Sequence, residues 1–312
     1  MNRVSIVIVS WNARNYLRDC LSSIRQTGAG EIREVIVVDN ASTDGSSDMV
    51  ATEFPETILI RSTTNLGFSR ANNLGIQRAT GSIIALINSD VIVHPGCFPT
   101  LAKFLDENPK VGLTGPKVFG RDGKIQLSCG RLPNLWNTFC RFLALDKVLS
   151  RWSLFSGFEM RHLNHDRQME VEVLSGCFWV ARREAVDKVG GLDERFFFYA
   201  EDWDWCKRFR DANWKVMYVP EATATHFGGG SSSNAPLRYS ILKLRANLTY
   251  WKKHYGTLGR AAYYVLSMLE HTLRLSAREI LRLFGRARTP EAAHKLEEHK
   301  VCLRWLMTGK GV

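Results

Sequence analysis

The chain has 312 residues, of which 45% are hydrophobic and 23% charged, a composition that is ordinary for a folded globular protein and excludes a largely disordered one. The formal net charge of +11 invites a nucleic-acid partner, but the excess charge is local. Residues 237–312 hold 15 Lys or Arg and five Asp or Glu, whereas residues 1–236 hold 27 and 26. The sequence therefore predicts a balanced body that does not bind nucleic acid and a basic C-terminal extension.

The seven cysteines are odd in number, scattered along the chain, and form no Cys-x-x-Cys pair. This pattern favours free thiols in a reducing compartment over a disulfide framework or a zinc site. The first apolar run, from Val4 to Val9, is too short for a signal peptide or a membrane span. We therefore expect a cytoplasmic protein.

Strands and helices are predicted to alternate over the first third of the chain. Short apolar runs typical of strands buried on both faces occupy residues 4–9, 34–38, 57–61 and 81–87, and segments with helical character lie between them. This alternation predicts an α/β fold with a doubly wound, mostly parallel sheet and helices on both faces.

Polar residues follow these strands at the points where they end. Asp39 ends the second strand, and Asn88, Ser89 and Asp90 end the fourth. A carboxylate at this edge suits a divalent cation that holds a phosphate, and Asp39 can accept a hydrogen bond from a nucleotide base. Turn formation or helix capping explains any one of these residues equally well. Four polar strand ends on one sheet edge favour a ligand site.

Four ordered motifs carry a family resemblance: VSIVIVSWN (4–12), VVDNASTDG (37–45), NLGFSRANN (65–73) and LINSD (86–90). Together they resemble the GT-A-fold glycosyltransferases of family 2, in particular the bacterial rhamnosyltransferase-like branch, over residues 4–230. The resemblance implies inverting transfer of a sugar from a nucleotide diphosphate with Mg²⁺ or Mn²⁺. It also implies that Asp39 contacts the base and that Asp90 holds the metal. Asn88 replaces the first carboxylate of the common Asp-x-Asp form.

The motifs and the strand ends together define a predicted donor-binding set. Its members are Ser10, Asn12, Asp39, Asn40, Ser42, Asn65, Gly67, Arg70, Asn72, Asn88 and Ser89. The donor is expected to be dTDP-rhamnose or a UDP-sugar.

A second cluster of acids opens a predicted helix at residues 201–209, after an aromatic run at 196–199. Acids in a first turn are also favoured by the helix dipole, so capping is an alternative reading. Asp204 and Arg208 have the spacing of a structural ion pair, whereas Asp202 has no such partner. The resemblance maps the catalytic Glu-Asp motif onto Glu201 and Asp202, with Asp202 as general base.

His226 follows a predicted strand at residues 214–220. A lone histidine is more often structural than a ligand, but the resemblance places a metal-binding histidine here, and imidazole suits Mn²⁺ better than Mg²⁺. The Gly/Ser-rich residues 228–233 that follow are expected to form a loop that closes over the donor.

The segment between residues 121 and 171 is rich in aromatic and basic residues and is less regular. Apolar side chains at 135, 136, 139, 142 and 143 share one helical face, which we predict to be buried core, with a lipid or acceptor contact as the alternative. His162 and His165 have no evident partner pattern and are predicted to lie on the surface.

The C-terminal extension contains an amphipathic pattern from 258 to 284, with Arg274, Arg278, Arg282 and Arg286 at every fourth position. Such a helix suits an anionic membrane surface, which residues 258–288 would contact. A helix packed on the catalytic domain with solvated arginines explains the pattern equally well.

These inferences predict a catalytic domain at 1–236, with a nucleotide half at about 1–95 and an acceptor half at about 96–236, and a helical extension at 237–312. The expected function is inverting transfer of a sugar, with rhamnose a candidate, to a glycan or polyprenyl-linked acceptor in cell-surface polysaccharide synthesis. The enzyme is expected to be peripheral on the inner face of the cell membrane. The alternatives are a sugar-nucleotide-forming nucleotidyltransferase, for which the Gly-rich basic loop is missing, and a non-catalytic membrane-binding protein.

Overall fold

A computed structural model describes residues 3–27, 30–228, 236–284 and 289–310 of the chain. Its first part alternates strands and helices as the sequence predicts. The elements are β1 (Val4–Ser10), α1 (Arg14–Gln26), β2 (Ile32–Asp39), α2 (Ser46–Glu53), β3 (Ile58–Arg61), α3 (Gly67–Arg78) and β4 (Ile83–Asn88).

The rest of the body mixes short strands and helices, and two helices form the C-terminal extension. In the body they are β5 (Val91–Val93), α4 (Cys97–Glu107), β6 (Val111–Phe119), β7 (Ile125–Gln126), β8 (Cys129–Gly130), α5 (Leu135–Phe142), α6 (Leu145–Val148), α7 (Ser153–Ser156), β9 (Met169–Glu170), β10 (Val173–Leu174), β11 (Phe178–Arg182), α8 (Arg183–Val189), α9 (Glu201–Asp211) and β12 (Lys215–His226). The extension consists of α10 (Pro236–Leu283) and α11 (Pro290–Thr308).

The main sheet is mixed and has the strand order β3-β2-β1-β4-β11-β6-β12-β5, with β7 beside β6 and β9 beside β12. Strands β3, β2, β1 and β4 are parallel, and β11 runs antiparallel between β4 and β6. The fold class predicted from the sequence is confirmed. Because β2 and β4 lie on opposite sides of β1, the carboxyl ends of these strands form the crevice where such sheets bind ligands.

Helices cover both faces of this sheet, and successive residues of a strand pack against opposite layers. Ile6 and Ile8 of β1 belong to the core shared with α1, α2 and α4, whereas Val7 faces the core shared with α8 and α9. Helix α3 lies so close to β1 that a Cβ on Gly75 would be 2.2 Å from Cγ1 of Val7, so this position requires glycine. Packing on both sides thus fixes the sheet edge that carries the polar motifs.

The extension packs on the body through the first part of α10. Tyr250 and Trp251 are buried against Phe196 and Ala200, just before α9. Helix α10 is interrupted at Gly256, whose φ of 70° and ψ of −166° are open to glycine. Among the described helices, none combines the length and the apolar character needed to cross a bilayer. The predicted division at residue 236 stays a prediction.

The apolar face predicted to be core in α5 is exposed instead. Leu135, Trp136 and Phe139 are 48%, 46% and 36% exposed. The side of α5 that faces inward carries Asn137 and Cys140, and the Asn137 side chain donates to the Leu132 carbonyl and accepts from the Asn134 amide. Because those bonds satisfy the polar group, the short helix docks through its polar side and leaves its apolar side to solvent.

The prediction that His165 lies on the surface is also wrong. His165 is buried, its ring packs edge-on against Tyr218, and its Nε2 lies 3.2 Å from the Met160 carbonyl oxygen. His162 is half-buried, with Nδ1 2.9 Å from Ser156 Oγ. Tyr218 comes from β12, which the local pattern does not connect to His165, whereas Met160 and Ser156 lie close by in the chain.

The predicted amphipathic helix forms the second part of α10, and its apolar side is the exposed one. Val265, Leu269 and Leu273 are 54%, 48% and 55% exposed. Arg274 is half-buried; its Nε lies 3.0 Å from Glu270 Oε1, and its guanidinium also donates to a carbonyl of α5. Arg286 lies outside the described residues. The arginine row is therefore partly engaged by protein, and the apolar row is free to meet a partner.

Candidate active site

One cavity gathers most of the predicted site residues at the carboxyl ends of β1, β2 and β4. Its volume is about 280 Å³, close to the lower end of the range for small-molecule sites. Predicted residues in its wall are Asn40, Asn65, Gly67, Asn88, Ser89, Asp90, Glu201, Asp202 and His226. Both halves of the body contribute, so the site joins the strand-end motifs to the acidic start of α9.

Four further predicted donor residues form the loops beside this cavity. The Asn12 amide donates to Ser42 Oγ at 3.0 Å, and the Ser42 amide donates to Asp39 Oδ2 at 3.3 Å. Asp39 is 4% exposed. Its Oδ1 and the Ser10 hydroxyl have no hydrogen-bond partner among the described residues. A buried unpaired acceptor is costly, so Asp39 Oδ1 is poised to accept a bond from a ligand.

Arg70 and Asn72 are not brought into the cavity. Arg70 is exposed, and its Nε lies 3.9 Å from Glu194 Oε2. Asn72 is buried within α3, where its side-chain amide donates to the Phe68 carbonyl at 2.9 Å. Both positions lie in the NLGFSRANN motif, yet only the start of that motif reaches the cavity.

Asp90, Asn88 and His226 meet at one corner of the cavity. His226 Nε2 lies 3.2 Å from Asp90 Oδ1 and 3.4 Å from Asn88 Nδ2. His226 Nδ1 lies 3.1 Å from Gln126 Oε1, an acceptor that favours the tautomer protonated on Nδ1. The lone pair of Nε2 then points toward the Asp90 carboxylate, an arrangement that a cation between them would stabilise.

This corner fits a divalent cation that takes its remaining ligands from a substrate. Within the described parts of the chain, no group of three or more His, Cys, Asp or Glu side chains could hold a metal alone. One carboxylate and one imidazole are nevertheless suitable ligands for Mn²⁺ or Mg²⁺ when phosphate and water oxygens complete the shell. Of the predicted loop at residues 228–233, only Gly228 is among the described residues.

Two strained residues place Glu201 and Asp202 at the start of α9. Tyr199 and Ala200 both have left-handed backbones, with φ of 74° and 63°. Such conformations cost about 1–3 kcal/mol each in non-glycine residues and cluster at functional sites. Asp202 Oδ1 accepts a hydrogen bond from the Trp203 amide at 2.9 Å. The strained turn therefore holds both carboxyl groups in the cavity wall.

Burial raises the pKa of both acids. Desolvation raises the pKa of Asp202 to about 6, although the Trp203 amide bond opposes the shift. The pKa of Glu201 is raised well above its usual range, first by burial and then by the charge of Asp202. Glu201 Oε2 has no hydrogen-bond partner among the described residues. The pKa of about 6 leaves Asp202 mostly ionised at pH 7, while burial and the neighbouring charge both disfavour ionisation of Glu201.

Asp204 stabilises this turn through hydrogen bonds with residues of α9 and α10. It is fully buried and accepts hydrogen bonds from Arg208 Nε at 2.8 Å, from His254 Nε2 at 2.7 Å, and from the Lys253 ammonium. The predicted ion pair between Asp204 and Arg208 is confirmed. Burial would raise the pKa of Asp204, but the bonds from His254 and Lys253 outweigh it and lower the pKa. The contacts of Asp204 with Lys253 and His254 therefore connect α9 to α10.

Sequence reasoning missed several residues of the cavity. Trp11 directly follows β1 and shares a strand end with predicted residues, so its position could have indicated it. Tyr239 comes from α10 and has no local signal, and neither does Gln126 of β7, which contacts His226 without lining the cavity. Of the aromatic run at 196–199, Phe196 is buried in the core, whereas Phe197, Phe198 and Tyr199 line the cavity. Other wall residues not predicted from sequence are Val9, Phe68, Ser175, Gly176 and Cys177.

Comparisons with known proteins agree with this geometry. The family model described as glycosyl transferase family 2 matches residues 5–190. The N-acetylglucosaminyl-diphospho-decaprenol L-rhamnosyltransferase of Mycobacterium tuberculosis (strain H37Rv) is 27% identical over 242 residues, covering 74% of this chain and 78% of that protein. The amylovoran biosynthesis glycosyltransferase AmsE of Erwinia amylovora is 28% identical over 153 residues. The match covers 44% of this chain and 57% of that protein.

Solved structures agree in fold. The mannosyltransferase PcManGT of Pyrobaculum calidifontis, in complex with GDP-Man and Mn²⁺, has a TM-score of 0.59 at 16% identity, over 99% of this chain and 88% of its own. TarS 1-349 of S. aureus has a TM-score of 0.53 at 13% identity, over 99% and 92%. The resemblance inferred from the four motifs is confirmed, and glycosyl transfer is favoured over the two alternative functions. Since the family model matches more than half of the chain, the chain belongs to glycosyl transferase family 2 and is a glycosyltransferase.

Proposed function

We propose that this glycosyltransferase moves a sugar, with inversion, from a nucleotide diphosphate to a polyprenyl-diphosphate-linked acceptor in cell-surface polysaccharide synthesis. The observation that carries the proposal is the shared cavity wall. Two candidate metal ligands, Asp90 and His226, line the same cavity as the ionisable carboxyl group of Asp202. The name of the mycobacterial relative supports L-rhamnose as the sugar and a diphospho-polyprenol as the acceptor.

The donor would lie along the strand ends. Asp39 Oδ1, a buried acceptor without a described partner, would take a hydrogen bond from the base, and Asn40 and Asn65 would contact the rest of the nucleotide. Asp90 and His226 would hold Mn²⁺ or Mg²⁺ beside the diphosphate. Such a cation supplies charge neutralisation for the leaving diphosphate. The Mn²⁺ that accompanies GDP-Man in the PcManGT complex supports a divalent metal. We infer dTDP-rhamnose or a UDP-sugar as the donor.

Asp202 would act as the general base. The acceptor hydroxyl gives its proton to the Asp202 carboxylate while its oxygen bonds to the anomeric carbon, and the bond from that carbon to the diphosphate breaks on the opposite face. A pKa raised to about 6 leaves Asp202 ionised at pH 7 and yet more basic than an ordinary aspartate. Burial and the charge of Asp202 both raise the pKa of Glu201, which disfavours a second negative charge beside the base.

The enzyme would work as a peripheral protein on an anionic membrane face in the cytoplasm. The exposed apolar side of α5 meets that of α10 in one groove, lined by Leu135, Trp136, Phe139, Ala261, Ala262, Val265 and Leu266. Exposed apolar surface of this kind marks an interaction site. The basic charge of residues 237–312 would draw this surface to anionic lipid, and the apolar row would enter the interface.

A donor and acceptor screen tests the proposal. Purified protein is supplied with Mn²⁺ or Mg²⁺, one nucleotide sugar at a time, and N-acetylglucosaminyl-diphospho-polyprenol, and release of nucleoside diphosphate is measured. We expect release with one donor only when the acceptor is present, and none in excess EDTA. Asp90→Asn should abolish the response to metal, while Asp122→Asn, an exposed carboxylate in a loop, should not. Full activity in EDTA would contradict the metal-binding role.

A further inference from the structure

A second cavity adjoins the donor cavity and shares Ser175, Tyr199 and Asp202 with it. Its wall also holds three basic side chains, Arg131, Arg141 and Lys243. We propose that these three residues bind the diphosphate group of a sugar-diphospho-polyprenol acceptor while its sugar hydroxyl meets Asp202. This inference rests on the proposed function, of which it names the acceptor-binding residues.

The three cations form no direct ion pairs within the described residues. Among the described residues, no carboxylate oxygen lies within 4.0 Å of a side-chain nitrogen of Arg131, Arg141 or Lys243. Glu159 also lines the cavity, but it is paired with Arg161. Glu270, Glu298 and Asp202 act on Lys243 without forming a direct ion pair with it, so the three cations keep their direct contacts available for a multiply charged anion.

The side chain of Lys243 is open to solvent, although many protein atoms surround it. Its side chain is exposed, yet the atoms packed around it and the nearby charge of Arg141 lower its pKa. Its Nζ lies 5.9 Å from the centre of the Tyr199 ring, and the Arg141 guanidinium stacks on Phe158 at 4.6 Å. Stacking leaves the edges of a guanidinium free to donate to phosphate oxygens.

Two neutral groups in the same wall are also left without partners. Ser128 and Asn247 are 6% and 7% exposed, and Ser128 Oγ and Asn247 Oδ1 have no hydrogen-bond partner among the described residues. The Asn247 amide nitrogen already donates to the Tyr263 hydroxyl at 2.7 Å, whereas its oxygen is the atom without a partner. A hydroxyl donor suits a phosphate oxygen, and an amide oxygen suits a sugar hydroxyl.

The position of the cations matches the order of groups in such an acceptor. Asp202 borders both cavities, and Arg141 lies on α5, whose opposite side carries the exposed Trp136 and Phe139. The Arg274 guanidinium donates to the Phe142 carbonyl and joins α5 to the apolar row of α10. Base, cations and apolar surface therefore follow one another as sugar, diphosphate and polyprenyl chain do.

The first experiment measures binding of inorganic pyrophosphate to the full chain in EDTA, by calorimetry, so that it depends on neither donor nor metal. Arg141→Gln and Lys243→Gln should each weaken binding by about tenfold or more, since each removes a charge-assisted bond. Arg151→Gln removes an exposed arginine that does not line the cavity and should bind as wild type does. Absence of binding to the wild type, or equal binding to all four proteins, would overturn the proposal.

The second experiment compares two acceptors with the same sugar, N-acetylglucosaminyl-diphospho-farnesol and octyl N-acetylglucosaminide. For Arg141→Gln and Lys243→Gln, KM for the diphosphate acceptor should rise by about tenfold or more, with the KM for the donor unchanged. For Arg141→Gln, transfer to the neutral glycoside should not change; Lys243→Gln also removes a charge that lowers the pKa of Asp202, so its effect on this acceptor is compared at a pH well above 6. Equal losses on both acceptors, or a loss confined to the donor KM, would show that the cations do not bind the acceptor diphosphate. Failure of the wild type to transfer any sugar would instead count against the proposed function.

Discussion

The two cavities that meet at Asp202 differ in how the chain builds them. The ends of β1, β2 and β4 form one side of the donor cavity, so the polar residues of that side occur in short consecutive motifs. The second cavity takes most of its wall from residues 127–131, 141, 158–159, 243 and 247, and none of these segments is a motif alone. Parallel strands place consecutive polar residues at one edge, whereas added helices bring together single residues from distant segments. The first arrangement can be recognised in a sequence, and the second cannot.

The two cavities also differ in charge. The donor cavity has carboxylates, amides and one imidazole, which suit a metal and a nucleotide. The second cavity has Arg131, Arg141 and Lys243, which suit an anion held without a metal. Asp202 lies where the two cavities meet, while other residues hold the donor and the acceptor diphosphate. A change at Asp202 should therefore affect transfer and leave the binding of donor and acceptor largely intact.

The largest expected effect comes from Asp202→Asn. Asparagine keeps the shape and hydrogen-bonding reach of the side chain but cannot accept the proton, so kcat should fall by about 10²–10⁴-fold while donor affinity persists. Steady-state kinetics and donor titration check this. In the wild type, the rate should fall tenfold per pH unit below about pH 6, where Asp202 becomes protonated. Turnover within a few-fold of wild type in the variant would place the base elsewhere.

The second effect tests the buried ion-pair network around Asp204, which holds the start of α9 next to both cavities. Asp204→Ala removes a fully buried carboxylate and leaves Arg208, Lys253 and His254 without their common partner. Breaking such a network costs about 3–5 kcal/mol in the free energy of unfolding. Chemical denaturation measures this loss. Asp211→Ala, an exposed acid of the same helix, is the matched control, and an equal small loss in both would show that the network does not stabilise α9.

These residues also show what the sequence could reveal. The family resemblance points to Asp90 and His226, but their approach to 3.2 Å depends on the antiparallel pairing of β12 with β5, which sets His226 opposite Val91. The pairing register of β12 with β5 cannot be predicted from the spacing of residues in the sequence. Periodicity locates the apolar face of α5, yet it cannot tell which side of a short helix is buried, because that depends on how Asn137 is satisfied.

The third effect concerns the apolar surface next to the second cavity. Replacing Val265, Leu269 and Leu273 together with Gln removes three half-exposed apolar side chains at about 1 kcal/mol each, so binding to anionic vesicles should weaken by about a hundredfold. Gln is a good helix former, so α10 should persist. Vesicle sedimentation measures the change.

The control for that surface is Met307→Gln, which alters an exposed apolar residue of α11. Arg274→Gln should matter less than the triple variant, because Arg274 already contacts Glu270 and the Phe142 carbonyl. Vesicle binding that the triple variant retains and Arg274→Gln abolishes would show that charge, not the apolar row, holds the protein on the membrane.

The fourth effect tests the metal corner through a residue that would not touch the metal. Gln126→Leu removes the acceptor for His226 Nδ1 and frees the imidazole to rotate or change tautomer. Loss of such an orienting partner typically weakens metal affinity by about 10–100-fold. Activity titrated against Mn²⁺ should shift accordingly and recover at high Mn²⁺. A change in maximal rate with unaltered Mn²⁺ dependence would show that Gln126 does not orient the metal ligand.

The smallest expected effect is a gain of stability from Asp202→Asn. The folded-state pKa of Asp202, about 6, lies above its ordinary value of 3.8, so the folded protein holds a proton over this window that the unfolded chain has lost. The free energy of unfolding therefore falls as pH rises from about 4 to 6, and above pH 6 the wild type carries the full cost of a desolvated charge. Asparagine has no such cost, so the variant should be more stable at pH 7 by about 1–2 kcal/mol, a figure reduced for the solvent that still reaches Asp202. Thermal unfolding of both proteins from pH 4 to pH 8 measures the difference, which should vanish near pH 4. A variant that is less stable at pH 7 would mean that Asp202 supports the fold of α9, and the loss of turnover could then no longer be assigned to proton transfer alone.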